Sequence, residues 1–313
     1  MGGQAVKRVH VMAKESSEPF GIYSDESGCG HFRSVGTLSG PRASLSRLRQ
    51  ELQAHLCACQ TSSIEFKKIS GDSRHEQAAI RFLRTGIEYT HARLLRIDVL
   101  TWDLRDARHT IFRRDDQKNL QLMYYKVLKW VKQRWRGATL LWELFPDQNS
   151  AIDWKNFIAY LEKTNLSRNV PYLSDLFGVL QNTAFPTITS HAECVSDREP
   201  LIQLVDLFTG FAAFSCAKGA AYASSSLSKT SQPDLFTTGV ETSRPASRGL
   251  ASKYRCLGAL LEHCRAHKMG VSFETRTHLW TPKPTNPLNF WFYEPRSELD
   301  KAPTKPPKQR QVT

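Results

Sequence analysis

The sequence lacks the motifs that identify several large enzyme classes. It contains no P-loop, no GxGxxG fingerprint and no GxSxG elbow, so nucleotide-driven work, dinucleotide chemistry and esterase chemistry have no support. No run approaches the roughly 18 apolar residues of a membrane-spanning helix, and no signal peptide is recognisable before Phe20. We therefore expect a cytoplasmic protein with no membrane-spanning segment.

Paired cysteines are also lacking. The seven cysteines are an odd number and form no CxxC pair, which argues against a disulfide framework. Cys256, His263, Cys264 and His267 lie close together in the sequence, but their spacing is not that of a typical zinc site. We interpret the cysteines as buried, reduced thiols.

Acidic residues are in the minority. The 313 residues include 43 Lys and Arg against 30 Asp and Glu, which gives a formal net charge of +13 and an isoelectric point near 9.5. Such a surplus attracts polyanions, so nucleic acid is the leading class of partner. With 40% apolar side chains, the chain is long enough to bury a full hydrophobic core.

The hydrophobic pattern predicts alternating strands and helices. Strands are predicted at Phe20–Ser24, His31–Leu38, Ser63–Ile69, Ala92–Trp102, Ala138–Leu144, Leu176–Gln181, Thr187–Ala192 and Asn289–Tyr293. Helices are predicted at Ser44–Leu56, Arg74–Tyr89, Asn119–Arg136, Ala151–Thr164, Pro200–Ala217 and Tyr254–His267. This order is typical of an α/β domain in which helices pack on a mixed central sheet.

Composition divides the chain into five segments. We predict a flexible N-terminal arm (1–19), the main domain (20–217), a flexible Ser- and Ala-rich insertion (218–250), a C-terminal helix and aromatic segment that packs on the domain (251–294) and a disordered basic tail (295–313).

Two pairs of polar residues are candidates for chemistry. Asp25 and Glu26 directly follow an apolar strand and precede Gly28, although the same residues also suit an ordinary turn. Asp206 lies in an otherwise apolar helix, one turn after Gln203, and a buried carboxylate needs a partner. Alternatively, Asp206 caps neighbouring backbone or pairs with a buried arginine such as Arg198.

The third acidic contributor is left open between two residues. Glu143 ends an apolar strand, where active-site groups are often found, and Asp147 follows shortly after it. Glu65, Lys67 and Lys68 form a further charged group in a predicted strand, in which Lys68 is a candidate substrate contact.

Oxygen ligands without paired Cys or His suit Mg²⁺ or Mn²⁺. Two such ions assist phosphodiester cleavage. On the predicted helix Asn119–Arg136, the basic residues Lys126, Lys129 and Lys132 are candidates for contacting the phosphate backbone, or else form a solvated surface.

The sequence resembles the domain of unknown function 3800 family in Asp25-Glu26-Ser27-Gly28 and Gln203-Leu204-Val205-Asp206. The resemblance covers about residues 20–217 and implies a ribonuclease-H-like fold with a metal-dependent nuclease centre. This chain departs from the family at the middle strand, where Glu143 stands in place of the usual Asp.

The leading hypothesis is therefore a metal-dependent nuclease. Asp25, Asp206 and either Glu143 or Asp147 would hold the metal, while Glu26 and Gln203 would orient ligands or water. The alternatives are a non-catalytic nucleic-acid or protein-binding module, with a protein partner in a defence or mobile-element assembly, and a phosphoesterase that acts on small nucleotides.

Overall fold

A computed structural model describes residues 19–106, 116–135, 141–148, 152–168, 186–230, 247–273 and 276–294. The predicted disordered tail, all but the last residue of the predicted N-terminal arm, and the predicted strand Leu176–Gln181 lie outside these residues.

A mixed sheet forms the centre of the described structure. Its strands are β1 (Phe20–Cys29), β2 (Phe32–Pro41), β3 (Arg96–Asp103), β4 (Leu141–Pro146), β5 (Thr187–His191) and β6 (Leu288–Phe292). They are arranged in the order β5-β4-β1-β2-β3-β6. β2 is antiparallel to both of its neighbours, β1 and β3, and the other three pairings are parallel. The predicted mixed α/β architecture is confirmed.

Helices cover both faces of the sheet. They are α1 (Arg42–Ala58), α2 (Ser73–His91), α3 (Asp116–Arg134), α4 (Trp154–Arg168), α5 (Pro200–Thr230) and α6 (Arg248–Ala266). Helices α1, α2, α5 and α6 share one hydrophobic core with the sheet, and α3 and α4 share a second core on the opposite face. Each of the six corresponds to a predicted helix.

The apolar spacing that predicts α2 also explains its packing. Ala79, Phe82, Leu83 and Ile87 recur at intervals of three and four residues, and all four side chains are buried. The helix begins directly after Asp72, whose side chain accepts a hydrogen bond from the backbone N–H of Arg74 and so satisfies a free donor at the helix start.

The first hairpin turns later than the sequence predicts. β1 continues through Asp25 and Glu26 because it pairs with β2 as far as Cys29 opposite Phe32. The turn falls at Gly30, whose φ of +61° favours glycine. Asp25 and Glu26 are therefore strand residues, and the alternative that they form a turn is wrong.

The predicted strand Ser63–Ile69 is also wrong. Phe66–Lys68 forms a short 3₁₀ turn after an extended Glu65. The segment pairs with no strand among the described residues; the N–H groups of Ile64 and Phe66 bond instead to side chains of α5.

Helix α5 packs tightly against the sheet. Gly36 lies opposite Asp25 in the β1–β2 pairing, and a Cβ at Gly36 would overlap the Thr209 side chain of α5.

By length and composition, residues Pro200–Ser225 of α5 could span a membrane, but most of this stretch is buried in the fold. The helix continues past Ala217 to Thr230, so the first part of the predicted flexible insertion is helical. Residues 231–246 of that insertion lie outside the described structure.

Candidate active site

Asp25 and Asp147 lie where two parallel strands separate. The pairing of β1 with β4 ends at Ser24 opposite Pro146, and the N–H of Asp147 donates to the Ser24 carbonyl at 2.8 Å. Ligand sites in α/β sheets are found at the carboxyl ends of such strands. The fold therefore sets two carboxylates side by side at a position suited to binding.

Strand alternation separates Asp25 from Glu26. Successive side chains of a strand point to opposite faces of its sheet, and only Asp25 lies on the face covered by α5. Glu26 lies on the face covered by α3, where its Oε2 accepts a hydrogen bond of 2.7 Å from the Tyr124 hydroxyl. The structure thus does not bring the predicted Asp25–Glu26 pair to one site on one face.

Asp206 approaches Asp25 from α5. Burial raises the pKa of Asp25 well above its usual value, and the negative charges of Asp206, Asp147 and Glu26 raise it further. Thr209, one turn after Asp206, packs on Gly36, which lies opposite Asp25, and Asp147 bonds to Ser24, so the three aspartates lie near one another. We call the group Asp25, Asp147 and Asp206, with Glu65 beside Asp206, the acidic centre.

The pKa of Asp206 is also raised, to about 6. Burial is the main cause; a hydrogen bond from the Phe66 N–H opposes it, and Glu65 adds repulsion. That hydrogen bond reaches Asp206 Oδ2 at 2.6 Å, so Asp206 does accept from neighbouring backbone, as the alternative interpretation held. The suggested partner Arg198 is exposed.

Gln203 forms hydrogen bonds with two loops that lie beside Asp206. Its Oε1 accepts from the Ile64 N–H at 3.1 Å, and its Nε2 donates to the Ser196 carbonyl at 2.8 Å. Gln203 and Asp206 therefore hold the same Ile64–Phe66 segment from one face of α5. Gln203 therefore positions the backbone beside Asp206.

Of the two open candidates for the third carboxylate, only Asp147 joins the centre. Its Oδ1 accepts a hydrogen bond from the Ser196 hydroxyl. Glu143 lies opposite Gly21, near the other end of the β1–β4 pairing, and its Oε2 forms an ion pair of 3.1 Å with Arg42. The predicted role of Glu143 as a metal ligand is not supported, because three residues of strand lie between it and Asp147.

Glu65 links the acidic centre to two lysines. Its carboxylate forms ion pairs of 2.6 Å with Lys67 and 2.7 Å with Lys68. Lys68 also pairs with Asp197 at 3.1 Å, whereas the Lys67 side chain is 80% exposed. Of these lysines, Lys67 is the more exposed, and the substrate contact by Lys68 stays a prediction.

Lys253 of α6 is a site residue that sequence reasoning missed. Its Nζ lies 4.3 Å from the centre of the Phe66 ring, and burial lowers its pKa while Cys29 and Asp206 act to raise it. Lys253, Lys218 and Arg33 all act electrostatically on Cys29. Nothing in the local sequence marks Lys253, because folding alone brings α6 beside the acidic centre.

The predicted basic face of α3 lies elsewhere. Helix α3 belongs to the core on the opposite side of the sheet, and the Nζ of Lys126 packs 4.9 Å from the centre of the Tyr293 ring. Lys126, Lys129 and Lys132 therefore do not line the acidic centre.

The carboxylates of the acidic centre are directed at separate donors. No three of them bring ligand oxygens within 4.8 Å of one another; in the described part of the chain, only Glu88, His263 and His267 form such a group. Oxygen ligands at the acidic centre nevertheless suit a hard divalent cation, and such a cation would offset the repulsion among the carboxylates.

Two proteins of Methanothermobacter thermautotrophicus are similar to this chain over almost its whole length. Uncharacterized protein ORF2′ is 31% identical over 302 residues, which cover 93% of this chain and 99% of that protein. Uncharacterized protein ORF2 is 31% identical over 295 residues, 90% of this chain and 97% of that protein.

The chain belongs to the ORF2 family. No family model matches it, so the resemblance to the domain of unknown function 3800 family stays a prediction. Both relatives are uncharacterized proteins, so their similarity assigns no activity to this ORF2 family member.

The contact between Glu26 and Tyr124 leads to a first prediction. Tyr124→Phe should lower the free energy of unfolding by about 1 kcal/mol, because it removes one buried hydrogen bond, which chemical denaturation would measure. Tyr160→Phe, on α4 of the same core, is the matched control, because the Tyr160 side chain is exposed. Equal stability of Tyr124→Phe and the wild type would show that this hydrogen bond contributes nothing.

Proposed function

We propose that this ORF2 family member is a Mg²⁺- or Mn²⁺-dependent nuclease with a ribonuclease-H-like domain. The observation that carries the proposal is the acidic centre, in which Asp25 of β1, Asp147 just after β4 and Asp206 of α5 lie near one another and the charges of Asp147 and Asp206 raise the pKa of Asp25. Asp25 is only 6% exposed. Keeping buried carboxylates together without a counter-charge is unfavourable, so the arrangement favours a cation.

The donor set fits a hard divalent cation. Asp25, Asp147 and Asp206 would hold it, and when bound it would activate a water and stabilise the leaving oxygen of a phosphodiester. With a pKa of about 6, Asp206 is mostly ionised at neutral pH. Asp206 is therefore in the ligand form at that pH.

Neighbouring groups hold the acidic centre in position. The Phe66 N–H fixes Asp206, and the Ser196 hydroxyl fixes Asp147. Gln203 ties the two loops that carry these donors. Such bracing limits the movement of the ligands and favours a defined geometry.

Positive charges border the acidic centre. Lys67 and Lys253 act on Asp206, and Lys218 and Arg33 act on Cys29 together with Lys253. A phosphate backbone that reached the carboxylates would pass these cations. Together with the net charge of +13, they support nucleic acid as the substrate.

Labelled RNA and DNA, single- and double-stranded, incubated with the purified chain and either Mg²⁺ or Mn²⁺, would test the proposal. We expect cleavage of at least one substrate and none with EDTA. Binding without cleavage would favour the non-catalytic module, and hydrolysis of mononucleotides alone would favour the phosphoesterase; either result would overturn the proposed nuclease.

Lys253→Gln leads to a second prediction. The substitution should weaken nucleic-acid binding several-fold and reduce the slope of log affinity against log salt by about 1, because one phosphate contact is lost. Fluorescence anisotropy in EDTA at several salt concentrations would measure this. Lys129→Gln, on the opposite face of the sheet, is the matched control, and equal salt slopes for the two variants would remove Lys253 from the substrate path.

A further inference from the structure

A second group of ligand-type side chains lies at the ends of α2 and α6. Glu88 and His91 lie one turn apart at the end of α2, and His263 and His267 lie one turn apart at the end of α6. Since residues three or four apart share a helix face, each pair presents two side chains on one side of its helix.

The two pairs face each other. One ligand atom from each of Glu88, His263 and His267 lies within 4.8 Å of the other two. The His263 and His267 rings are 4.5 Å apart, and the His91 and His267 rings are 4.8 Å apart. Four side chains capable of binding a metal therefore occupy one small volume.

His263 points into this group. Its Nε2 is shielded from solvent and makes no hydrogen bond within the described part of the chain, although Glu88 Oε1 lies 3.3 Å away. A metal ion bound by both His263 Nε2 and Glu88 Oε1 would satisfy the shielded nitrogen and the carboxylate together.

The helices that carry the group run in the same direction. Near their starts, Arg255 of α6 donates two hydrogen bonds of 2.6 Å to Glu76 of α2, and near their ends His263 meets Glu88. Both helices thus direct the negative ends of their dipoles toward the group, which favours a cation there. The Glu76–Arg255 pair fixes the distance between the helices.

We propose that Glu88, His263 and His267 bind a divalent transition-metal ion of the zinc class, with His91 within reach as the fourth ligand. Imidazole nitrogen with one carboxylate is a donor set that suits zinc, whereas the oxygen-only acidic centre suits magnesium or manganese. His267 follows Lys253 by 14 residues, about 20 Å along a helix, so this is a separate site.

The bound ion would act as a clamp between α2 and α6. It would join the ends of two helices whose other ends are already joined by Glu76 and Arg255. Both helices pack in the core that supports α5, so the clamp would stabilise the side of the fold that carries Asp206.

The proposed ligands come from two helices. The spacing of Cys and His residues within one stretch of the sequence therefore does not reveal the site. Cys256 and Cys264, which lie near His263 in the sequence, are buried in the core. The partners of His263 and His267 lie instead more than 170 residues earlier, on α2. The absence of a typical zinc spacing therefore does not exclude this site.

Zinc binding by the purified full-length chain would test the proposal. After EDTA treatment and dialysis, Zn²⁺ is titrated calorimetrically in excess Mg²⁺, which competes for the acidic centre, and Co²⁺ is used as a spectroscopic probe. We expect one Zn²⁺ per chain and a visible Co²⁺ absorption typical of nitrogen ligands. The His263→Gln/His267→Gln double variant should lose at least about 100-fold in Zn²⁺ affinity.

Glu88→Gln is a second variant that tests the site even if the double variant does not fold. Glu88 is exposed, and the substitution preserves the shape of its side chain. This variant should remain folded by circular dichroism yet bind Zn²⁺ at least about 10-fold more weakly. His75→Gln, near the start of α2, is the matched control and should bind like the wild type. Wild-type Zn²⁺ affinity in both Glu88→Gln and the double variant, or no stoichiometric binding by the wild type, would overturn the proposal.

Discussion

Asp25→Asn should reduce Mg²⁺- or Mn²⁺-dependent cleavage of nucleic acid by at least about 1,000-fold, a loss of about 4 kcal/mol of transition-state stabilisation. The substitution keeps the shape of the side chain and can retain the 2.7 Å hydrogen bond from the Glu26 N–H to Oδ1. It removes the negative charge at the position where Asp147 and Asp206 converge. The expected loss is therefore one of cation binding and not of folding.

Initial rates over a range of metal concentrations would measure the effect of Asp25→Asn. Glu143→Gln is the matched control, because Glu143 is engaged by Arg42 away from the acidic centre and should keep nearly full activity. Nucleic-acid binding measured in EDTA should survive in both variants. An Asp25→Asn variant as active as the wild type would exclude the acidic centre as the catalytic site.

The second large effect concerns stability and pH. In the absence of divalent metal, the free energy of unfolding should fall as pH rises from about 4 to about 6. The pKa of Asp206 is about 6 in the folded chain against an ordinary value of 3.8, so in this window the folded state binds more protons than the unfolded state. Stability therefore decreases as pH rises through it.

Asp206→Asn should reduce this decline and raise the unfolding free energy at pH 7 by about 1–3 kcal/mol. Part of the decline should remain, because the pKa of Asp25 is also raised. Urea denaturation at a series of pH values in EDTA would measure both effects. Asp72→Asn is the control: the pKa of Asp72 is lowered by its bonds to Arg74, so its removal should leave the decline unchanged.

Magnesium provides the complementary measurement. If the acidic centre binds the cation, Mg²⁺ should raise the stability of the wild type at pH 7 and raise that of Asp206→Asn much less. An undiminished pH dependence in Asp206→Asn would show that its carboxylate is not the buried, repelled group inferred from the structure.

The sequence predicted the helices more reliably than the roles of individual residues. The spacing of buried residues in α2 reads directly as an amphipathic helix, because that pattern depends on neighbours within a few turns. The strand predicted at Ser63–Ile69 was wrong, because hydrogen bonds from Ile64 and Phe66 to α5 are formed across about 140 residues of chain.

The residues of the acidic centre were likewise predictable from the sequence only in part. Asp206 could be singled out from the sequence because a carboxylate in an apolar helix needs a partner. The choice between Glu143 and Asp147 could not, because it depends on where β4 separates from β1. Lys253 gave no signal, since its position beside Phe66 depends on the packing of α6.

By itself, the sequence determined the alternation of helices and strands, the basic character of the chain and the candidates Asp25 and Asp206. Only the tertiary structure decided that Glu26 faces away from Asp25, that Asp147 joins the acidic centre, and that Glu88 meets His263. The physical reason is that periodicity and charge are local properties of the chain, whereas a site is made by strand register and helix packing between distant segments.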